Sequence, residues 1–492
     1  MQTRNFIDGQ WADSHAGRTF ENRNPARHDE VIGRWPASDA GDVARAVAAA
    51  ARAFRSWRLV PAPKRGELLF QVGRLLAERK EEIARVMTRE MGKVLPEARG
   101  DVQEGIDTAF YAAGEGRRLF GQTVQPELPN KAGYSLRQPI GVAGLITPWN
   151  FPLAIATWKM FPALVCGNTV LLKPASDVPA SATLLFEVLE AAGLPPGVVN
   201  LVHGSGSQVG DPMVAHPDIK VLSFTGSTEV GKRIAQQCGG TLKRCSLELG
   251  GKNAQIVLDD ADLDLALEGA LWGAFGTTGQ RCTATSRLIL HRKIAAEFTE
   301  RLVARARALR LGDGLEAGVD VGPVVNAGRI PAIAEYVEIG QREGARLVLG
   351  GGAARDGELA RGHFFQPTVF DRVTPGMRIA QEEIFGPVVA LLTCGSADEA
   401  VEILNGTLYG LSSSIYTRDL NRAQKAIRDI EAGIVYVNGP TIGAEVHLPF
   451  GGVKETGNGH REAGTAALDV FSEWKTVYID YSGKLQKAQI DS

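Results

Sequence analysis

From Val142 onward the chain alternates short apolar runs with longer amphipathic ones, and that rhythm limits what it can fold into. Val142–Ile146, Thr169–Leu172, Val198–Val202 and Lys220–Phe224 read as buried strands. Runs near 152–166, 180–192, 207–215 and 229–238 carry helical periodicity between them. Such alternation implies a parallel sheet covered by helices on both faces. A second series starts near Asn253–Leu258, with strands at Arg287–His291, Arg346–Leu349, Val388–Leu392 and Ile434–Val437. Its helices fall near 262–275, 294–309, 327–343, 396–404 and 419–431, and Gly250-Gly251 marks a boundary between the two series. Upstream, short strands occupy the first 25 residues and helical runs follow near 40–57, 64–91 and 95–119. The polar stretch 121–139 fits a linker or a protruding hairpin, and Val470–Ile479 is too apolar for a free end.

At 492 residues the chain should form two or three domains. Lys and Arg number 54 against 56 Asp and Glu, which leaves no basic field for nucleic acid or an anionic membrane. The apolar region Gly141–Leu172 is broken by Pro148, Asn150, Pro152, Lys159, Pro162 and Asn168, so it does not read as a membrane span. Cysteines 166, 238, 245, 282 and 394 are odd in number and lack CxxC or zinc spacing, which implies a reducing compartment and no structural metal. With no signal-peptide core at Met1–Asp8, a cytoplasmic location is expected.

Ligands of a parallel sheet bind beyond the carboxyl ends of its strands. Lys173-Pro174-Ala175-Ser176 follows one strand, where the lysine either reaches a ribose or phosphate or is a solvated surface charge. Thr225-Gly226-Ser227-Thr228-Glu229-Val230-Gly231 follows another and opens a helix, which makes it either a pyrophosphate cradle or an ordinary N-cap. Its spacing is not GxGxxG. Thr147-Pro148-Trp149-Asn150-Phe151-Pro152 holds Asn150 between prolines, as an oxyanion donor or a turn residue. Glu248, between Leu247 and Leu249, is either a general base of raised pKa or the polar position of a strand. Glu382-Glu383-Ile384-Phe385-Gly386-Pro387 sets another carboxylate beside an aromatic turn. Gly276-Thr277-Thr278-Gly279-Gln280-Arg281-Cys282-Thr283 places one thiol in a glycine-bounded loop, as a nucleophile that Arg281 biases toward thiolate or as an inert turn cysteine.

Taken together, PWNFP, KPAS, FTGSTEVG, LELGGK, GQRCT, EEIFGP and PFGGVK resemble the NAD(P)-dependent aldehyde dehydrogenase superfamily, in its order and at its spacings, over essentially the whole chain. The resemblance implies an aldehyde dehydrogenase-like α/β fold. Its parts would be a Rossmann-type cofactor domain (1–120 and 140–250), an α/β catalytic domain (251–465) and a small β oligomerisation element (121–139 and 466–492), assembled as a homodimer or homotetramer. It implies Cys282 as nucleophile, Asn150 as oxyanion donor, Glu248 as the base that activates water, and Lys159 in a proton relay. NAD or NADP would lie against Trp149, Lys173, Ser176, Gly226, Ser227, Gly231, Glu383 and Phe385. Many NAD-preferring members carry a glutamate where this chain has Ser176, so NADP should be tolerated.

WNFPLAIATWKMFPAL, GQRCTATSR and the segments Pro440–Gly443 and His447–Gly452 look most like the α-ketoglutaric semialdehyde dehydrogenase branch. That resemblance implies a small-molecule aldehyde bearing a distal carboxylate, with Phe151, Trp158, Phe450 and His447 lining the tunnel and Arg281 or His447 as the anionic group's partner. A broad-range aliphatic or aromatic aldehyde dehydrogenase is the alternative. A CoA-acylating enzyme would lack Glu248, and a non-catalytic relative would lack Cys282 or Asn150.

Overall fold

The computed structural model describes residues 1–487, 489 and 490. Ala488, Asp491 and Ser492, which belong to the expected element 466–492, lie outside the described residues.

The first sheet runs Arg244–Glu248, Ile219–Thr225, Val142–Ile146, Thr169–Lys173 and Val199–Leu201, all parallel, and ends with Asn5–Ile7 and Gln10–Ala12 antiparallel. The chain enters at its centre with Val142–Ile146, steps outward to Val199–Leu201, then returns to the other side as Ile219–Thr225. The order therefore reverses between Val142–Ile146 and Ile219–Thr225, which opens a crevice beyond their carboxyl ends. Val142–Ile146 is wholly buried, as its apolar composition requires, and Ile219–Thr225 is buried except at Lys220 and Thr225.

A second sheet repeats the pattern: Thr368–Asp371, Val388–Cys394, Arg287–His291, Ala254–Val257, Ser412–Tyr416 and Ile434–Val437 are parallel, and Arg346–Leu349 is an antiparallel edge. Its reversal lies between Ala254–Val257 and Ser412–Tyr416. The stretch 121–139 is a hairpin, not a linker: Lys131–Pro139 pairs with Thr123–Val124 and, from Ser472↔Pro139 to Asp480↔Lys131, with the tail strand Ser472–Asp480.

Ahead of the first sheet, the hairpin of Thr19–Asn24 and Arg27–Pro36 leads into helices Ala40–Trp57, Ala62–Glu78, Lys80–Met91 and Leu95–Glu115. The expected run 64–91 is two helices because Arg79 leaves helical geometry (φ −98°, ψ 10°). Its guanidinium is held by Glu82 at 2.8 Å and by Glu187 at 2.8 Å. Leu95–Glu115 packs its Ala98, Val102, Ile106 and Ala109 face into the core of the first sheet, beside the helix Ala154–Cys166. This contact brings acidic residues of the first helix to the loop that carries Cys282.

Candidate active site

Cys282 stands after the helix Leu263–Phe275, on a turn that L-residues form only under constraint. Thr277 (φ 50°), Thr278 (φ 58°) and Gly279 (φ 66°) are successively left-handed. The two threonines cost about 1–2 kcal/mol each in that conformation, and Glu97 and Gly322 offset it. Glu97 accepts the Thr277 N–H at 2.9 Å and its hydroxyl at 3.1 Å, while the Thr278 hydroxyl donates to the Gly322 carbonyl at 3.0 Å. Gly279 is required by contact as well, since a Cβ there would meet the Gly386 carbonyl at 2.2 Å.

The thiol is partly exposed, with the backbone N–H groups of Cys282 and Thr283 directed at it. Burial, and then the Glu383 and Glu248 carboxylates, push it up to about 12 despite those donors. Arg281 does not activate it, contrary to the expectation from sequence. The guanidinium turns away to Glu97 at 2.9 Å and the Thr277 hydroxyl at 2.9 Å, and stacks over the Phe151 ring. Asn150 is buried and donates one amide N–H to the Gln280 carbonyl at 3.1 Å, which fixes it beside the same turn.

Two cavities meet at the sulfur. One, of about 400 Å³, occupies the crevice of the first sheet and is lined by Trp149, Asn150, Gly226, Ser227, Glu383 and Phe385. The other, of about 110 Å³, is lined by Phe151, Trp158, Phe450, Arg281, Glu248 and Glu104. Cys282, Thr225, Ile155 and Leu249 line both. The first cavity has the donors and the bare backbone that a dinucleotide needs. Thr225 Oγ1 is buried without a partner, and Ser227 caps the helix Thr228–Gly240, whose first N–H groups face outward. Glu383 accepts the Gly251 N–H at 2.9 Å, and burial raises its carboxyl to about 7. A Cβ at Gly250 would lie 2.3 Å from Glu383 Oε2, so glycine is what admits that carboxyl. Trp149 and Phe385 meet edge to face at 5.3 Å on the cavity's wall.

Three expected cofactor residues lie off this lining. Gly231 is a packing glycine: a Cβ there would come within 2.3 Å of the Leu249 side chain, so its bare Cα seats the helix and does not face the cavity. Lys173 and Ser176 follow the neighbouring strand. Lys173 is buried, which lowers its ammonium to about 8, and the Ser176 hydroxyl donates to the Gly204 carbonyl at 3.1 Å. The carboxylate near Lys173, Asp177, accepts from Asn326 at 2.9 Å.

Glu248 ends the strand Arg244–Glu248 and points inward. Its carboxyl is buried, neither oxygen has a hydrogen bond among the described residues, and burial together with the nearby Glu462 holds it well above the usual carboxylate range against the pull of Lys159 and Arg461. Gly451 (φ 147°) makes room for it, since a Cβ would sit 2.5 Å from Oε1. Lys159 Nζ donates to Glu462 and, at 2.9 Å, to the Ser223 hydroxyl, which itself donates to Glu462 at 3.2 Å. Trp158 and Phe450 pack edge to face at 4.8 Å. His447 is a correction: its ring is largely exposed, pairs with Glu445 at 3.2 Å, and is not on the lining of the cavity.

A family model described as the aldehyde dehydrogenase family matches residues 11–477. The chain belongs to that family. This aldehyde dehydrogenase is 44% identical, over 96% of its length and 97% of the relative's, to the alpha-ketoglutaric semialdehyde dehydrogenase of Bacillus subtilis. It is 44% identical, over 97% of its length and 99% of the relative's, to the alpha-ketoglutarate semialdehyde dehydrogenase of Haloferax volcanii. Its fold superposes with a TM-score of 0.96 on betaine aldehyde dehydrogenase from Staphylococcus aureus in complex with NAD+, at 34% identity, covering 99% of this chain and 96% of that one.

The motifs of this aldehyde dehydrogenase did not disclose Glu97, Glu104 or Glu462. Glu97 follows Pro96 and reads as an ordinary acid in a helix's first turn. Glu462 sits in a polar loop whose folding back onto Phe450, through N–H to O contacts of 2.6 and 2.7 Å, is a tertiary event. Glu104 carried a faint signal, an acid three residues after Asp101 on a helix that otherwise faces the core.

Proposed function

We propose that the chain oxidises an aldehyde bearing a distal carboxylate, such as α-ketoglutaric semialdehyde, to the acid, with NAD or NADP as cofactor. The observation that carries this reading is the placement of Cys282 where the two cavities join. The thiol passes its proton to the Glu248 carboxylate, which releases it through Lys159, Glu462 and Ser223. The thiolate attacks the aldehyde carbon, forming a thiohemiacetal on Cys282. The free N–H of the Asn150 amide and the Cys282 backbone N–H hold the oxyanion. A bound nicotinamide dinucleotide supplies the hydride acceptor that takes this adduct to the thioester. Trp149, Gly226, Ser227, Glu383 and Phe385 would hold it, with Lys173 and Ser176 toward its adenosine end. Glu248 then takes a proton from water, the hydroxide adds to the thioester, and the acid leaves as the thiol reforms. Lys159, with Glu462 and Ser223, offers Glu248's proton a path out of the buried site.

Residues 1–120 and 140–250 serve as the cofactor domain, 251–465 as the catalytic domain, and 121–139 with 466–492 as the oligomerisation element of a cytoplasmic homodimer or homotetramer. The exposed Trp474, Tyr478 and Ile479 on the tail strand support that last role. Among the described residues no helix is long and apolar enough to cross a membrane. The aromatic cavity wall also favours a second reading, a broad-range aldehyde dehydrogenase.

The deciding experiment measures reduction of NAD+ and NADP+ with short aliphatic aldehydes, benzaldehydes and C4 to C6 semialdehyde acids. The expected outcome is that a dicarboxylic semialdehyde leads by kcat/KM. If uncharged aldehydes lead, the substrate assignment fails and the broad-range reading replaces it.

A further inference from the structure

Three acids of the helix Leu95–Glu115 approach the site, and two are fully engaged within the protein. Glu97 holds Thr277 and Arg281. Asp101 takes Lys93 Nζ at 2.9 Å and the Ala154 N–H at 2.8 Å. The third, Glu104, lines the cavity that Cys282 shares, and among the described residues its carboxyl takes no hydrogen bond and no ion pair. Arg281 stands on the same wall with part of its guanidinium uncommitted. Nε and one Nη serve Thr277 and Glu97, while the other Nη has no acceptor among the described residues. A polar group left open toward a cavity is costly unless a ligand or water meets it.

We propose that Glu104 hydrogen-bonds the distal carboxylate of the substrate and, with Arg281 on the same cavity lining, sets the preference for an acidic aldehyde. This rests on the semialdehyde reading above and adds the residue that enforces it. The surroundings favour the protonated form. Burial, Asp101 and Asp107 raise Glu104 to about 8, outweighing Lys93 and Arg281. Glu248 and Glu462 line the same cavity, and Tyr436, from the strand Ile434–Val437, feels the charge of Glu104. Below about pH 8 the wall thus offers one cationic and one neutral donor, a pair that suits a carboxylate. Above it Glu104 ionises and repels the same substrate.

The test is the ratio of kcat/KM for α-ketoglutaric semialdehyde to kcat/KM for pentanal, from pH 6.5 to 9.5. Titration of the Cys282 thiol affects both substrates and cancels in the ratio. The repulsion added by Glu248, on the same cavity lining, is common to the unsubstituted enzyme and Glu104→Gln, so the difference between their pH profiles belongs to Glu104. The full-length enzyme, Glu104→Gln and Glu104→Leu are compared, with cofactor binding as the check on folding. In the unsubstituted enzyme the ratio should fall roughly tenfold as Glu104 ionises. Glu104→Gln keeps a donor that cannot ionise, so its ratio should fall markedly less with pH than that of the unsubstituted enzyme. Glu104→Leu should lower the ratio about tenfold at pH 7. If the unsubstituted enzyme prefers the acid and both variants keep that preference with the same pH dependence, the role of Glu104 is overturned while the substrate reading stands. If the unsubstituted enzyme shows no preference for the acid at any pH, both fail. A preference for a quaternary-ammonium aldehyde that Glu104→Gln abolishes also overturns the proposal, because Glu104 would then act as a carboxylate.

Discussion

In the first sheet the carboxyl ends of Val142–Ile146 and Ile219–Thr225 part onto loops that leave about 400 Å³ between them. In the second sheet, where the strand order reverses in the same way, the ends of Ala254–Val257 and Ser412–Tyr416 close around a side chain of the protein itself. Asp260 accepts the N–H groups of Arg418 and Asp419 at 3.0 Å each and the Thr417 hydroxyl at 2.8 Å. Those are donors that an anionic ligand would otherwise use. A cavity of about 870 Å³ lies alongside, but its charges are spent on one another: Asp259 pairs with Lys293 and Arg422, and Asp398 with Lys425. Equal topology therefore gives an open crevice in one sheet and, in the other, a crevice filled by Asp260 with an ion-paired cavity alongside, and the residues after the strands decide which. The second sheet contributes to chemistry through its opposite end, where the loop before Arg287–His291 presents Cys282 to the first sheet's crevice.

The largest effects should come from residues at that junction. Cys282→Ala should lower cofactor reduction by roughly 10³-fold or more, and activity near the unsubstituted level would dismiss the nucleophile. Glu248→Gln should keep the first burst of reduced cofactor while steady turnover falls about 10²-fold or more; stopped-flow absorbance separates the two. Both groups sit above their ordinary pKa, Cys282 at about 12. Their reactive forms are the deprotonated ones, so activity should climb from pH 7 to pH 9. A flat profile would contradict the burial of these two groups.

How much of this was readable in advance differs between the same two sheets. In the first sheet the four parallel strands drawn from mostly apolar runs all form, while the fifth, Arg244–Glu248, with two charged residues in five, entered only as one reading of Glu248. In the second, Ser412–Tyr416 escaped detection because three of its five residues are serines. Each serine is buried and its hydroxyl donates to a carbonyl, that of Thr441, Ile434 or Gly439, so the strand is satisfied by partners that a local pattern cannot show. Thr368–Asp371 was missed as a four-residue piece between turns. Among the expected site residues, Asn150 and Cys282, each within one contiguous motif, line the same cavity. His447 and Gly231 were not placed correctly, because which way a loop ring turns and which neighbour a glycine touches depend on packing between elements.

Asp260→Ala tests the filled crevice. It strips two backbone N–H groups and one hydroxyl of their acceptor, and should lower stability by about 2 kcal/mol, read from urea unfolding. Backbone and hydroxyl donors hold Asp260 below the usual carboxylate range. Its contribution is therefore present above its unfolded pKa and is lost as pH falls through the lower folded value. The stability difference between Asp260→Ala and the unsubstituted protein should accordingly shrink at acid pH and hold steady from pH 5 to pH 8. A difference that is the same at all pH values would mean that Asp260 acts by packing and not as an anion.

The smallest expected effect comes from adding a carboxylate at the strand end next to the open crevice, outside its lining. Ser176 follows Lys173 at a strand end where the carboxylate acting on that lysine, Asp177, has one oxygen bonded to Asn326. Ser176→Glu would place a charge there. Two effects compete: the new acid can pair with the buried Lys173 ammonium, and it repels the 2′-phosphate of NADP. Pairing acts on both coenzymes, whereas repulsion acts only on NADP, so the ratio of kcat/KM for NADP+ to that for NAD+ isolates the second. It should fall about tenfold, the size of one like-charge contact near a protein surface, and fall less in high salt, which screens it. If the ratio is unmoved while NAD+ turnover persists, Ser176 does not face the adenosine ribose. The open crevice would then end short of it, at Gly226 and Ser227.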